Sequence, residues 1–277
     1  VIAQNFAYSA PATLAEALAA VGAGAKALAG GMSLIPAMKL RLAAPEQVVD
    51  LGRIPGLRGI EEDGGALRIG AMTTHYAIES SPLVRTKCPL LAAAAAAIGD
   101  VQVRNMGTIG GSAAHADPAA DYPAALVALD AEFHLASAGG SRTVTGEDFF
   151  IDLFTTALEP GELITAIRVP VEEPGAGTSY QKMVHPASGY AIVGVAARIR
   201  KSGGKVSFAR IGVTGLGAKA FRAKSAEQAL LNGADAATAA ALVAGGVEAN
   251  SDLHASAEYR SHMAAVYAAR AIRAALA

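Results

Sequence analysis

The chain has one cysteine, Cys88, in 277 residues. Iron–sulfur clusters commonly take four cysteine ligands, so this polypeptide holds none, and no disulfide can close within it. Cys88 precedes Pro89 at the head of an alanine-rich segment and reads as an inert packing residue. Excess charge is also missing: 23 Lys and Arg against 24 Asp and Glu leave a net charge of −1. Nucleic acids and anionic membranes call for a basic face, and no arginine-rich helix or lysine run supplies one. Long apolar runs are absent as well. The longest, residues 89–98, falls short of the roughly 20 residues a bilayer-spanning helix needs, and alanine supplies much of the 52% hydrophobic content. The opening residues carry no basic region followed by an apolar stretch. No secretory signal is expected, and a cytoplasmic location is. No internal repeat is present.

Two segments carry adjacent glycines beside small hydroxyl residues. They are Ala29-Gly30-Gly31-Met32-Ser33-Leu34 and Thr108-Ile109-Gly110-Gly111-Ser112. Successive glycine N–H groups with no Cβ in the way can converge on an anion as a backbone nest. One Gly-Gly pair is commonly just a loop. Two of one design, far apart in sequence, can close on a pyrophosphate from both sides, and a dinucleotide is the ligand that needs this. The hydroxyls of Ser33, Thr108 and Ser112 can donate to phosphate oxygens or cap local turns, and the two roles are compatible.

The strings AGGxSLxPxMKxR and GTIGGxxAHxDPxxD resemble the FAD-binding medium subunit of the molybdenum hydroxylases, a family that includes carbon monoxide and xanthine dehydrogenases. The resemblance runs from Phe6-Ala7-Tyr8 to the last helix. It implies an α+β chain: a two-lobed FAD-binding domain like that of vanillyl-alcohol oxidase, then a three-stranded antiparallel sheet with a small helical bundle. It also implies non-covalent FAD held by Ala29, Gly30, Gly31, Met32, Ser33 and Leu34 and by Thr108, Ile109, Gly110, Gly111, Ser112 and His115. Asp121 matches an aspartate that accepts from a hydroxyl of FAD, and Ile164 lies in a segment touching the isoalloxazine ring. Lys182 matches a lysine near the flavin, where a cation favours the reduced, anionic ring. Tyr190 matches an aromatic covering one ring face. The implied partners are a large subunit with the molybdenum cofactor and a small subunit with two [2Fe–2S] clusters, assembled as a dimer of heterotrimers.

Read from their residues alone, several of these positions keep other readings. Asp121 is a helix N-cap candidate, Lys182 a surface lysine and Tyr190 a half-buried strand tyrosine. His115, Asp117 and Asp121 have metal-donor chemistry, but no second histidine is near and Pro118 interrupts any shared helical face. Gly22-Ala23-Gly24 imitates a nicotinamide-type fingerprint but follows a helix, and Gly215-Leu216-Gly217 follows a strand but has no strand ending in a suitable acidic residue downstream. Three positions depart from the family pattern. Met32 stands where carbon monoxide dehydrogenase-like subunits tend to have histidine, Ser112 where they have aspartate or asparagine, and Tyr190 where tryptophan is expected. These leave the substrate open. Met32 also excludes a covalent flavin link at that position.

Turn chemistry and periodicity predict helices over 13–20, from Thr73 or Thr74 to Ser80, over 90–98, and from Asp121. Strands are expected at 26–29, 48–51, 67–71, 132–137 and 163–170. The Glu-, Gly- and Pro-rich stretch 172–178 marks a boundary between domains at 1–175 and 176–277. Beyond it, strands at 179–184, 191–200 and 206–213 precede helices from Ser225, from about Asp235 and from Ser256. Strands followed by helices indicate an α+β layer. The expected function is FAD-borne electron transfer within a molybdenum hydroxylase. Alternatives are a stand-alone FAD oxidase and a flavin-free interaction subunit.

Overall fold

The computed structural model describes residues 2–277. Its first sheet is small and parallel, in the order β1 (Ala7–Ser9), β3 (Gln47–Asp50), β2 (Lys26–Leu28). Helix α1 (Leu14–Gly22) joins β1 to β2 and starts where the Thr13 hydroxyl accepts from Glu16 N–H at 3.3 Å. Helix α2 (Leu34–Lys39) follows the first glycine pair directly. Its Pro36 sits in the first turn, where a missing N–H leaves no helical bond unmade.

The second sheet is antiparallel, built from β4 (Ile60–Asp63), β5 (Ala66–Gly70), β6 (Glu132–Ser137), β7 (Gly140–Thr145) and β10 (Leu163–Pro170), in the order β4-β5-β10-β6-β7. A separate hairpin pairs β8 (Phe150–Asp152) with β9 (Thr155–Thr156). Six helices stand between β5 and β6: α3 (His75–Ser80), α4 (Pro82–Lys87), α5 (Pro89–Ala97), α6 (Val101–Met106), α7 (Ile109–His115) and α8 (Asp121–Ala128). A single turn, α9 (Gly146–Phe149), follows β7. Leu67, Ile69, Phe133 and Ile167 of the sheet share one core with Leu90, Leu91, Ile109 and Leu126 of the helices.

The third sheet takes strands in chain order, β11 (Ala176–Val184), β12 (Ala191–Ser202), β13 (Lys205–Thr214) and β14 (Phe221–Arg222), all antiparallel. Helices α10 (Lys224–Leu231), α11 (Ala236–Ala240) and α12 (Ala257–Leu276) complete it. Two glycines record how tightly helices lie on this sheet. A Cβ at Gly177 would fall 2.0 Å from the Ala275 carbonyl oxygen of α12, and one at Gly212 would fall 1.9 Å from the Ala124 oxygen of α8. The C-terminal sheet is therefore packed between its own long helix and a helix of the N-terminal half.

Several expectations need correcting. The third sheet has four strands, because β14 is a two-residue edge too short to show any periodicity. Gly110 and Gly111 lie inside α7, although glycine is a poor helix former. The packing explains that exception: a Cβ on Gly110 would come 2.5 Å from Ala71 Cβ and 2.7 Å from its oxygen. Asp121 is the first residue of α8, whose N-cap is Ala120. The short strands β1, β4 and β7–β9 and the helices α4, α6 and α9 carry too little pattern to be read from sequence.

Candidate functional site

The two glycine segments meet, but they are built differently. In the second, residues 107–110 run along residues 71–75. Ile109 N–H donates to Thr73 O (3.1 Å), Gly110 N–H to Ala71 O (2.9 Å), and Thr74 and Thr108 form a β-bridge. Thr108 then caps α7, its hydroxyl accepting from Gly111 N–H at 3.1 Å, while Ser112 N–H donates to Thr108 O. Every N–H from Ile109 to Ser112 is thus used within the chain. This segment is not a nest; it offers a ligand the Thr108 and Ser112 hydroxyls, and its glycines serve close packing against Ala71, Thr108 and Ala29.

The first segment keeps the property expected of both. Gly31 has φ +74°, which favours glycine. Among the described residues, none accepts a hydrogen bond from the N–H groups of Gly30, Gly31, Met32 or Ser33, and the Ser33 side chain makes no capping bond to α2. Four consecutive unpaired donors beside a free hydroxyl suit an anion. The segment is pressed against the second one. A Cβ on Gly30 would lie 2.1 Å from Met106 O, and one on Gly111 would lie 3.2 Å from Ala29 Cβ. Ala29, Gly30, Met106 and Thr108 line one cavity of about 210 Å³. It adjoins a second of about 310 Å³ across Arg58, Met72 and Thr74. Arg58 lines both and makes only a long contact, 3.4 Å to Gly52 O. Sequence reading missed it, since nothing local marks a loop arginine as facing a cavity.

The remaining site candidates separate into three groups. Asp121 and Lys182 form a buried ion pair: Lys182 Nζ donates to Asp121 Oδ2 and to Ala97 O, each at 2.8 Å, with both side chains at most 5% exposed. Tyr180 adds its hydroxyl to Asp121 Oδ1 at 2.6 Å. Burial raises the Asp121 pKa above the usual carboxylate value, opposed by Lys182 and Tyr180. Lys182 is therefore no surface lysine, and Tyr180 is a polar partner that the sequence did not advertise. Tyr190, 44% exposed, lies just before β12 and outside any strand. Its phenol pKa is raised by burial and by Asp117 and Asp121. His115 is exposed at the far end of α7, its ring 5.1 Å from that of Phe154. The Ile164 side chain is buried in the core of β10, so only backbone and neighbours there can meet a ligand.

The free donors of residues 30–33 and a cavity shared by Ala29, Gly30, Met106 and Thr108 make a site suited to an anionic ligand. Residues 4–172 match the family of FAD-binding domains in molybdopterin dehydrogenase, and residues 178–275 match the carbon monoxide dehydrogenase flavoprotein C-terminal domain. The chain belongs to the FAD-binding medium-subunit family of the molybdenum hydroxylases. It is 43% identical to the carbon monoxide dehydrogenase medium chain of Hydrogenophaga pseudoflava, covering 99% of this chain and 98% of that one. The glyceraldehyde dehydrogenase medium chain of Sulfolobus acidocaldarius is 44% identical over 73% of this chain and 71% of its own length. Among solved structures, carbon monoxide dehydrogenase from Hydrogenophaga pseudoflava superimposes with a TM-score of 0.96 at 44% identity, covering 99% and 98% of the two chains. No described helix is long and apolar enough to cross a membrane. The residues fit FAD: the unpaired donors of residues 30–33, beside the Ser33 hydroxyl that makes no capping bond, suit a pyrophosphate.

Proposed function

We propose that this chain binds one FAD non-covalently between its two glycine segments and serves as the electron-transfer subunit of a molybdenum-containing hydroxylase. The observation that carries this reading is the run of unpaired N–H groups at Gly30–Ser33 on a cavity shared with Thr108. FAD bound there would supply the two-electron carrier that accepts electrons from the [2Fe–2S] clusters of a small partner subunit and passes them to an external acceptor. The work of this chain is to bind and tune. The free backbone donors of Gly30 to Ser33 and the hydroxyls of Ser33, Thr108 and Ser112 hold the phosphates. Met32, a thioether, has no nucleophile for a covalent link. Lys182 and Tyr190 serve the ring: the ammonium favours added negative charge, and the aromatic face excludes water.

The two-lobed flavin fold of residues 1–175, akin to that of vanillyl-alcohol oxidase, and a C-terminal unit of residues 176–277 are part of this reading. So are a dimer of heterotrimers, with the molybdenum cofactor on a large subunit, and a cytoplasmic location in which Cys88 stays a thiol.

The purified chain should show the absorption bands of an oxidised flavin and release all of it on acid precipitation. It should oxidise no substrate until combined with its partners. If the chain alone turns over a small organic substrate with a dye acceptor, the subunit reading gives way to a stand-alone oxidase.

A further inference from the structure

Tyr180 and Lys182 are two residues apart on β11, so their side chains share one face of the strand. That face meets the first turn of α8, and both donors converge on one carboxylate, Tyr180 on Oδ1 and Lys182 on Oδ2 of Asp121. Room for this arrangement is made by the neighbouring strand. Gly194 pairs with Lys182 in the β11–β12 register, and a Cβ there would fall 2.5 Å from the Tyr180 hydroxyl oxygen. The loop that delivers Asp121 is clamped by the same sheet. Ala191 N–H donates to Ala119 O, Gly215 N–H donates to Pro118 O, and the Thr214 hydroxyl lies within 2.8 Å of both Pro118 O and Ala120 O. Tyr180 is half-buried, and its hydroxyl has one acceptor, Asp121 Oδ1 at 2.6 Å, which sets its direction.

We propose that Tyr180 is a positioning residue that sets how much of the Lys182 charge is felt at the flavin, by sharing the Asp121 carboxylate with it. The proposal rests on the reading that FAD binds this chain with Lys182 near its ring. A buried carboxylate that accepts a phenol hydrogen bond has part of its charge neutralised by the phenol dipole. It then cancels less of the ammonium field, which is weakly screened in a low-dielectric interior. Without the hydroxyl, Asp121 turns its whole charge on Lys182, and the pair presents a more negative field to its surroundings. Lys182 has a third N–H beyond the two bonds described.

The test uses the full chain purified with its FAD, and a midpoint potential from dye-equilibrated reductive titration. Tyr180→Phe, which removes one oxygen, should retain FAD and move the potential to a more negative value. In an Asp121→Asn background the same substitution should produce no shift, because the phenol acts through the carboxylate. Incorporating 3-fluorotyrosine at position 180 keeps the shape, strengthens the donor and should move the potential the opposite way. An FAD-replete Tyr180→Phe chain with unshifted potential, an equal shift in the Asp121→Asn background, or no response to fluorination would each overturn the proposal while leaving the cofactor reading intact. A wild-type chain that takes up no FAD would overturn the cofactor reading itself, and this inference with it.

Discussion

Replacing Gly30 by alanine should separate the two segments that form the cavity. The added methyl would lie 2.1 Å from Met106 O, 2.7 Å from Gly107 Cα and 2.8 Å from Met106 C, all backbone atoms that cannot rotate aside. Relief requires the Gly30 loop to move away from residues 106–107 by more than 1 Å, since carbon–oxygen contact is comfortable only beyond about 3.2–3.5 Å. Overpacking of this kind costs roughly 1–3 kcal/mol. In a chain of this size each kcal/mol lowers Tm by about 2–4 °C, so a fall of roughly 2–12 °C is expected. The same displacement moves the unpaired N–H groups of residues 30–33 relative to Thr108, so FAD should be lost beyond what the stability change explains. The assay is flavin absorbance per chain after purification, with a thermal melt of the flavin-stripped protein. Gly22→Ala provides the control. A Cβ there meets nothing within 4 Å, and the position ends α1, so this change should leave flavin full and stability equal or slightly higher. A Gly30→Ala chain with full flavin and an unchanged melt would refute the argument, because the close approach to Met106 would then be too soft to matter.

Three further outcomes follow from the same geometry. His75 is held down to a pKa of about 4, first by burial and then by Arg104, so between pH 6.5 and 4 the folded state binds fewer protons than the unfolded one. Stability should therefore fall as pH drops through that window, by roughly 3 kcal/mol in all, and urea titrations of His75→Gln should lose that component. Lys182→Met leaves the Asp121 carboxylate buried without its cation and should destabilise by about 3–5 kcal/mol; adding Asp121→Leu should recover most of it, and denaturant midpoints would show whether it does. Thr108→Ala removes the cap of α7 for about 1 kcal/mol and weakens FAD retention, whereas Thr108→Ser should preserve both, as a flavin-binding titration can check.

Much of the site was legible because it is written in short local signals. The two glycine pairs, the hydroxyls beside them and the strands at 132–137 and 163–170 are recognisable from residue type and spacing alone. What stayed hidden depends on partners distant in the chain. The two glycine segments look alike, yet the N–H groups of one are consumed by residues 71–73 and its own cap while those of the other stay unpaired. No local feature separates them. Residue type alone leaves Gly30 and Gly110 open to a phosphate, but the atoms nearest their missing Cβ belong to Met106 and Ala71. Tyr180 reads as an ordinary strand tyrosine until α8 sets Asp121 opposite it.

The sequence by itself determined that one cysteine cannot supply the four thiolates an iron–sulfur cluster commonly takes, and that the charges of the chain nearly balance. It also determined the family, since two long motifs in fixed order leave little room for coincidence. The tertiary structure alone decided which donors remain free and which charges are paired. Hydrogen bonds and ion pairs are satisfied by whichever group the fold brings within about 3 Å, and here Asp121 and Lys182 are joined across 61 positions of sequence.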